Sequence, residues 1–556
     1  MNSDDTLTVS QVRDLNAERE RFWHRAAFLF LLITSLLRLC LLPMTELAAD
    51  EAYYWDWSRH LSLGYYDQGP FIAYLIRFTT TLFGNNELGV RVGVWAMSAG
   101  TLACIYSLTR RFASSLAGFL AVLFLALTPL LTAGSLIATY DTPLVFFWAL
   151  SLVALERALF ATDTGVQNRA WLSAGVWSGL GLLSKHTMLL IVPCLLLFLL
   201  LSGPVHRHWL WRPQPYLAFL ITLLLYSGVF WWNATHHWWT FGHLLFLAGK
   251  SNGTPLRQFG DLIGSQALIL GPGLFAACLW VCWGTGREWY QHTHPVSVPP
   301  ERSQLFAQGD ADGNVRSVPQ DVLLFLFCFG FPVIAFFCLV TFKAKVQANW
   351  ASCAWITPTM AVAIHLAGQF QQKGHAARRA LWQTVTITLI SGVLTLLMLS
   401  PWLRGKLGIR QKAQDDIANK MTGARIMASE VDAIRAEMRK EGRPVFIAGN
   451  DYQTCALLAF YLPDHPQTFD LFLGYRLNYY AADIDTLRAH LGENAIYVNE
   501  SRGEDAELHT LFDRVEWDGP FPIWRRPYFA QPIRSHYYGR CYYYTRFIGL
   551  TQAHGG

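Results

Sequence analysis

Long apolar runs separated by short polar breaks fill the first four hundred residues, and the pattern changes abruptly after them. A bilayer hydrocarbon core about 30 Å thick needs roughly 20 apolar residues at 1.5 Å each. On that measure the runs at 26–43, 88–108, 115–137, 142–160, 171–184, 187–203, 215–232, 265–283, 321–341, 351–369 and 381–400 predict about eleven membrane helices. Only Ser184-Lys185-His186 divides the fifth from the sixth. Residues 70–83 are apolar but too short to span if straight. After residue 400, 412–440 are charged and helix-prone. The stretch RPVFIAGNDYQTCALLAFYL then reads as a buried strand at Val445–Ala448, a Gly-Asn-Asp turn, and a helix capped by Asn450 or Asp451. NAIYVNE and FPIWRR read as further strands. The predicted fold class is a mainly α polytopic membrane protein with a small C-terminal α/β domain. Its parts are a cytoplasmic segment at 1–25, a transmembrane domain at 26–400 whose first outward loop is 44–87, and an α/β domain at 401–556.

Composition agrees. Of 556 residues, 53% are hydrophobic and 15% charged, against about 25% charged in soluble domains. The net charge of +5 is spread over loops and gives no nucleic-acid footprint. Eight of the ten cysteines lie in or beside apolar runs, and no CxxC or Cys/His zinc spacing is present. Cys455 and Cys541 lie in the polar C-terminal part and are candidates for a disulfide if that part is extracytoplasmic. Residues 1–25 are polar and lack a cleavage-site pattern, so the first apolar run reads as a membrane helix and not a signal peptide. Arginines cluster in alternate loops, which places the N-terminus in the cytoplasm. The 44–87 loop, the 233–264 loop and everything beyond residue 400 then face outward.

The first outward loop contains ADEAYYWDWSRHLSLGYYDQGPFIAYLIR, Ala49–Arg77. It predicts two interfacial helices. In the first, Asp56 pairs with Arg59 and His60 at helical spacing, and its Tyr and Trp residues suit an aromatic belt. In the second, Ile72, Leu75, Ile76 and Thr79 form the apolar face. Asp50 and Glu51 are not explained by anchoring, because carboxylates beside hydrocarbon are costly. One reading is helix N-capping. The other is a general base taking the proton of an acceptor hydroxyl as it attacks a lipid-linked electrophile. Asp141, starting the fourth span, has the same two readings. Lys185-His186, Lys343 and Lys345 sit at outward edges, against the positive-inside bias. They fit an anion such as lipid phosphate, or snorkelling to headgroups. Arg38, one to two turns before Pro43, has both readings too. His236, His237 and His243, in WWNATHHWWTFGHL, read as an interfacial aromatic loop rather than a metal site. Gly449 reads as an ordinary strand–helix turn in preference to a phosphate cradle, since no Gly-rich fingerprint surrounds it.

These features come in a recognisable order. Asp50-Glu51 with AYYWDWSRHLSLGYYDQGP, LGVR at 88–91, DTPLVFFWAL from Asp141, GLLSKHTMLLIVP from Gly181, WNATHHWWTF from Trp232 and KVQANW from Lys345 resemble the bacterial branch of the protein O-mannosyltransferase superfamily. These are GT-C-type glycosyltransferases that include the lipid A aminoarabinose transferases. The resemblance covers roughly residues 25–400 and YQTCALLAFYLP in the C-terminal part. It implies a sugar moved from an undecaprenyl (polyprenyl) phosphate carrier to a periplasmic-face acceptor of a bacterial inner membrane, lipid A or another glycolipid being favoured. It also implies Asp50 as base, with Glu51 and Asp141 orienting base or acceptor. Arg38, Lys185, His186, Lys343 and Lys345 would contact the carrier phosphate, and Tyr54, Arg59 and Asp67 the substrates. No cofactor is assigned; a divalent metal is left open, with no metal ligands named. Many relatives read DHPP or DKPP where this chain has Asp67-Gln68-Gly69-Pro70, which leaves metal or acceptor contacts there open. The rival readings are a protein O-mannosyltransferase-like activity and a lipid-linked sugar flippase. The flippase would place its charges at the bilayer midplane and not at one face.

Overall fold

The structure is a computed structural model describing residues 9–249, 253–293, 307–309, 315–372, 374–409, 416–471, 478–500, 508–524 and 532–546. The chain divides into two compact units. The first comprises Met1–Leu39, Val94–Leu136 and Tyr140–Thr395; the second comprises Cys40–Gly93, Ile137–Thr139 and Leu396–Gly556.

The first unit is helical. Among the described residues, seven helices are long and apolar enough to cross a membrane, and two bent helix pairs bring the number to nine. The chain is an integral membrane protein. The sequence pattern predicts eleven spans, and the difference lies in two segments. The run at 171–184 falls in the helix Thr164–Ser184, whose first half is polar. The run at 187–203 becomes a 3₁₀ turn, His186–Leu190, and a short helix, Ile191–Leu201. The core runs through Trp148, Trp171, Phe198, Phe325 and Trp355.

Helix packing in lipid depends on close backbone approach, because hydrocarbon gives no hydrophobic drive between helices. Thr164–Ser184 shows this against Pro213–Thr235. A Cβ at Gly175 would lie 2.5 Å from the Ala218 carbonyl oxygen, and Thr222 Oγ1 donates to the Gly175 carbonyl at 3.0 Å. Gly175→Val is therefore expected to lower stability by about 1–3 kcal/mol through overpacking, read as a fall in detergent melting temperature. An unchanged melting temperature would show that the two backbones can separate at no cost.

The helix pair Ser115–Ala126 and Pro129–Leu136 bends by 70° at a two-residue break. A break in a spanning helix exposes carbonyls that lipid cannot satisfy. Arg38 supplies the missing donor: its guanidinium bonds the Ala126 carbonyl and reaches Thr132 Oγ1 at 3.3 Å. Arg38 is buried among these helices and does not snorkel to the headgroups.

The second unit contains the two expected loop helices, Ala49–Arg59 and Phe71–Phe83. Phe71–Phe83 buries Ile72, Ile76 and Thr79 and leaves Phe78 and Leu82 exposed, as an interfacial helix does. Ala49–Arg59 differs from expectation. Residues 51–58 are all buried, so its aromatics form a core and not a headgroup belt. Trp57 stacks on Tyr65 at 4.5 Å, and Trp55 meets Phe460 at 4.9 Å.

The C-terminal residues of this unit carry a five-stranded sheet. The strands are β1 Val445–Gly449, β2 Thr468–Asp470, β3 Asn494–Asn499, β4 Phe512–Ile523 and β5 Arg534–Tyr544, in the order β2-β1-β3-β5-β4. β1 pairs in parallel with β2 and β3, while β5 runs antiparallel to β3 and β4. The central β1 and β3 are buried throughout, as their apolar runs require. The helix Tyr452–Tyr461 follows β1, and Asp451 is its cap, accepting from Thr454 N at 2.8 Å. That carboxylate already occupies the positive helix end. A Cβ at Gly449 would fall 2.9 Å from Cys455 Sγ, so packing explains this glycine. Cys455 and Cys541 are both free and buried. Within this unit the first loop is fastened to the C-terminal residues. Glu46 accepts from Ala424 N at 2.7 Å, Tyr461 O–H donates to Glu87 at 3.1 Å, and Arg425 pairs with Glu87.

Candidate active site

Asp50 and Glu51 are sequence neighbours with opposite surroundings. Glu51 is fully buried, and both of its oxygens are saturated. Oε1 accepts from Arg91 Nε and Ala138 N, each at 2.8 Å; Oε2 accepts from Arg91 Nη2 at 2.7 Å and Ala48 N at 2.8 Å. The Ala48 bond is half of a capping box, so Glu51 and not Asp50 closes the helix start. Arg91 spends its remaining donors on the carbonyls of Leu42, Thr45 and Glu46 at 2.7–2.9 Å. Glu51 is thus a structural clamp with no lone pair left for a substrate, contrary to the expectation that it orients acceptor or base.

Asp50, in the first turn of the same helix, is exposed. Its Oδ1 accepts from Gln453 Nε2 at 3.3 Å and from Tyr452 O–H at 3.5 Å. Oδ2 receives no donor among the described residues. The protein wall behind Asp50 disfavours the charged form and Asp67 adds a like charge, so the carboxyl pKa is raised. Gln453, Lys420 and Tyr452 pull it back. Asp67 is held by Tyr53, whose hydroxyl donates to Oδ2 at 2.6 Å and accepts from Tyr479 N at 2.9 Å. Tyr54 lies in the same aromatic cluster, 5.1 Å from Trp57. Arg59 is committed elsewhere: it pairs with Asp56 at 3.1 Å and donates to the carbonyls of His465 and Pro466 at 2.9 and 3.3 Å. It staples this helix to the C-terminal residues, where the sequence suggested substrate contact.

The first unit has its own polar group. Asp141 is the first residue of Asp141–Phe160 and gives no side-chain cap. Its carboxylate accepts from Lys185 Nζ at 2.6 Å and Asn349 Nδ2 at 2.7 Å. Lys185 is buried and also lies over the Tyr140 ring at 5.1 Å. Asn349 lies within KVQANW, four residues after Lys345, and nothing local marks it as a partner of Asp141. Lys343 and Lys345 are exposed. His186 Nε2 and Tyr226 Oη are 2.5 Å apart. His236 stacks on Trp232 at 4.3 Å. Among the described residues, no group of three His, Cys, Asp or Glu side chains is placed to hold a metal ion.

Solved structures share this architecture. ArnT from Cupriavidus metallidurans bound to undecaprenyl phosphate superposes with a TM-score of 0.59 at 13% identity, covering 92% of this chain and 97% of that one. The Archaeoglobus fulgidus oligosaccharyltransferase gives 0.51 at 12% identity, covering 86% and 70%. At such identities the likeness speaks for the fold alone. In sequence, residues 67–232 match the dolichyl-phosphate-mannose-protein mannosyltransferase family. The fold is of the GT-C type. Two curated relatives resemble the chain in part. Lipid A galacturonosyltransferase RgtD of Rhizobium johnstonii is 27% identical over 341 residues, 60% of this chain and 64% of that protein. Undecaprenyl phosphate-alpha-4-amino-4-deoxy-L-arabinose arabinosyl transferase 1 of Pseudomonas fluorescens is 29% identical over 181 residues, 32% and 30%. The chain thus spans less than two thirds of the length of each.

Proposed function

We propose that the chain is a glycosyltransferase moving a sugar from a polyprenyl-phosphate carrier to a lipid A-type glycolipid, with Asp50 as general base. The observation that carries this reading is Asp50 itself: an exposed carboxylate held at one oxygen, with the other open to accept a proton. The names of the two curated relatives, and the undecaprenyl phosphate bound to the ArnT structure, support the carrier and the acceptor class. The relatives' names differ in the sugar, so the sugar stays unassigned.

In the proposed reaction an acceptor hydroxyl attacks the anomeric carbon with inversion and loses its proton to Asp50 Oδ2. The carrier phosphate leaves with its bonding electrons. Cations are needed to oppose the charge that builds on it. In the first unit taken by itself, Lys343 and Lys345 are assigned to anion contact and the Asp141–Lys185–Asn349 group to substrate orientation. The arginine bias supports a periplasmic C-terminal domain, and the likeness to lipid A-modifying relatives supports inner-membrane residence. Seven or nine spans, both odd, would put the two ends of the chain on opposite sides.

The test is mass spectrometry of lipid A after incubating the purified protein with undecaprenyl-phosphate sugars. A sugar-mass increment with one carrier phosphate released per transfer is the expected result. Unmodified lipid A with a glycosylated protein acceptor would replace the acceptor assignment, and carrier translocation without release would replace the enzyme reading.

A further inference from the structure

We infer that the C-terminal α/β domain supplies the groups that position the base: Gln453 orients Asp50 and Tyr452 supports Gln453. The inference rests on the reading of Asp50 as the base.

Gln453 and Tyr452 open the helix Tyr452–Tyr461, which carries its own carboxylate cap at Asp451. The first turn is therefore fixed, and its side chains leave from a rigid base. Both donors converge on one oxygen of Asp50, which sets the carboxylate plane and leaves Oδ2 outward. Gln453 Nε2 also lies within 3.3 Å of Tyr452 Oη, so the donors restrain each other. Tyr452 in turn packs on Tyr53 at 4.5 Å between ring centres, and Tyr53 is fixed by Asp67 and Tyr479. The charged and titratable groups facing Asp50 are Asp67, Lys420 and Tyr452. Asp67 disfavours the carboxylate, whereas Gln453, Lys420 and Tyr452 favour it. An amide is the right donor here. It stabilises the ionised base and has no labile proton to compete with the acceptor's. A general base works only when deprotonated, so the balance of these groups places the acid limb of the rate profile.

The experiment measures transfer against pH for the full-length protein and for Gln453→Lys, Gln453→Glu and Lys420→Met, with Asp50→Asn alongside. Gln453→Lys puts a cation at the carboxylate and is expected to move the acid limb down by about one pH unit. Gln453→Glu puts an anion there and moves it up by about as much. Lys420→Met moves it up by less. On the acid limb Gln453→Glu loses up to about tenfold in kcat at a given pH and recovers as pH rises, with KM for both substrates unchanged. Opposite shifts from two variants of equal size cannot come from general misfolding. If Asp50→Asn is inactive but both Gln453 variants keep the wild-type limb, or alter only KM, the positioning role is overturned. If Asp50→Asn stays active, the base assignment itself has failed.

Discussion

Asp50→Asn loses transfer by about 10²–10⁴-fold, the usual contribution of a general base, while the protein inserts and melts normally. The loss falls on kcat, since the amide keeps the shape and removes the proton acceptor. Stability should hold or rise. Asp50's pKa is raised in the folded state, so ionising it costs folding free energy. That cost is absent at low pH and grows as pH rises through the folded pKa. Removing the charge removes the cost, so a melting temperature at neutral pH equal to or above wild type is expected. Normal transfer by the well-folded variant would end the base assignment.

One residue further along, the expected result is the reverse. Glu51→Gln strips the charge that neutralises a buried guanidinium and turns one accepting oxygen into a donor facing donors. Breaking a buried ion pair from one side costs about 3–5 kcal/mol, a large share of a typical folding free energy. The readouts are membrane yield and detergent melting temperature. Arg91→Met should cost a similar amount. The double variant should cost less than the two singles together, because neither leaves the other's charge unpaired. Full additivity, or an unchanged melting temperature for either single variant, would mean the clamp is not structural. On these expected results a neighbouring pair separates: Asp50 is expected to carry activity and Glu51 the fold.

That separation was hidden in the sequence. Asp and Glu side by side at a helix start look equivalent, and what divides them lies far along the chain. Glu51's partners are 40 and 87 residues away, and Gln453 is 403 residues from Asp50. The membrane helices were legible because a hydrocarbon slab enforces length and apolarity locally. The strand–turn–helix at Val445 was legible because its cap and apolar runs are local too. The aromatics of Ala49–Arg59 were misread as a belt, since Tyr and Trp suit an interface and a protein core equally well. Arg38's bond to Ala126 was not legible, because nothing local announces that a helix some 90 residues later will break and need a donor.

The reach of the Gln453–Asp50 contact has a consequence for biogenesis. Chains emerge N-terminus first, and domains fold as they appear. A half-made chain would hold its spans and the carboxylate, but not the amide that aims it. If Asp50 is the base, it becomes competent only once the ribosome has passed residue 453, and a truncated or stalled product would then sit in the membrane without turning over its donor.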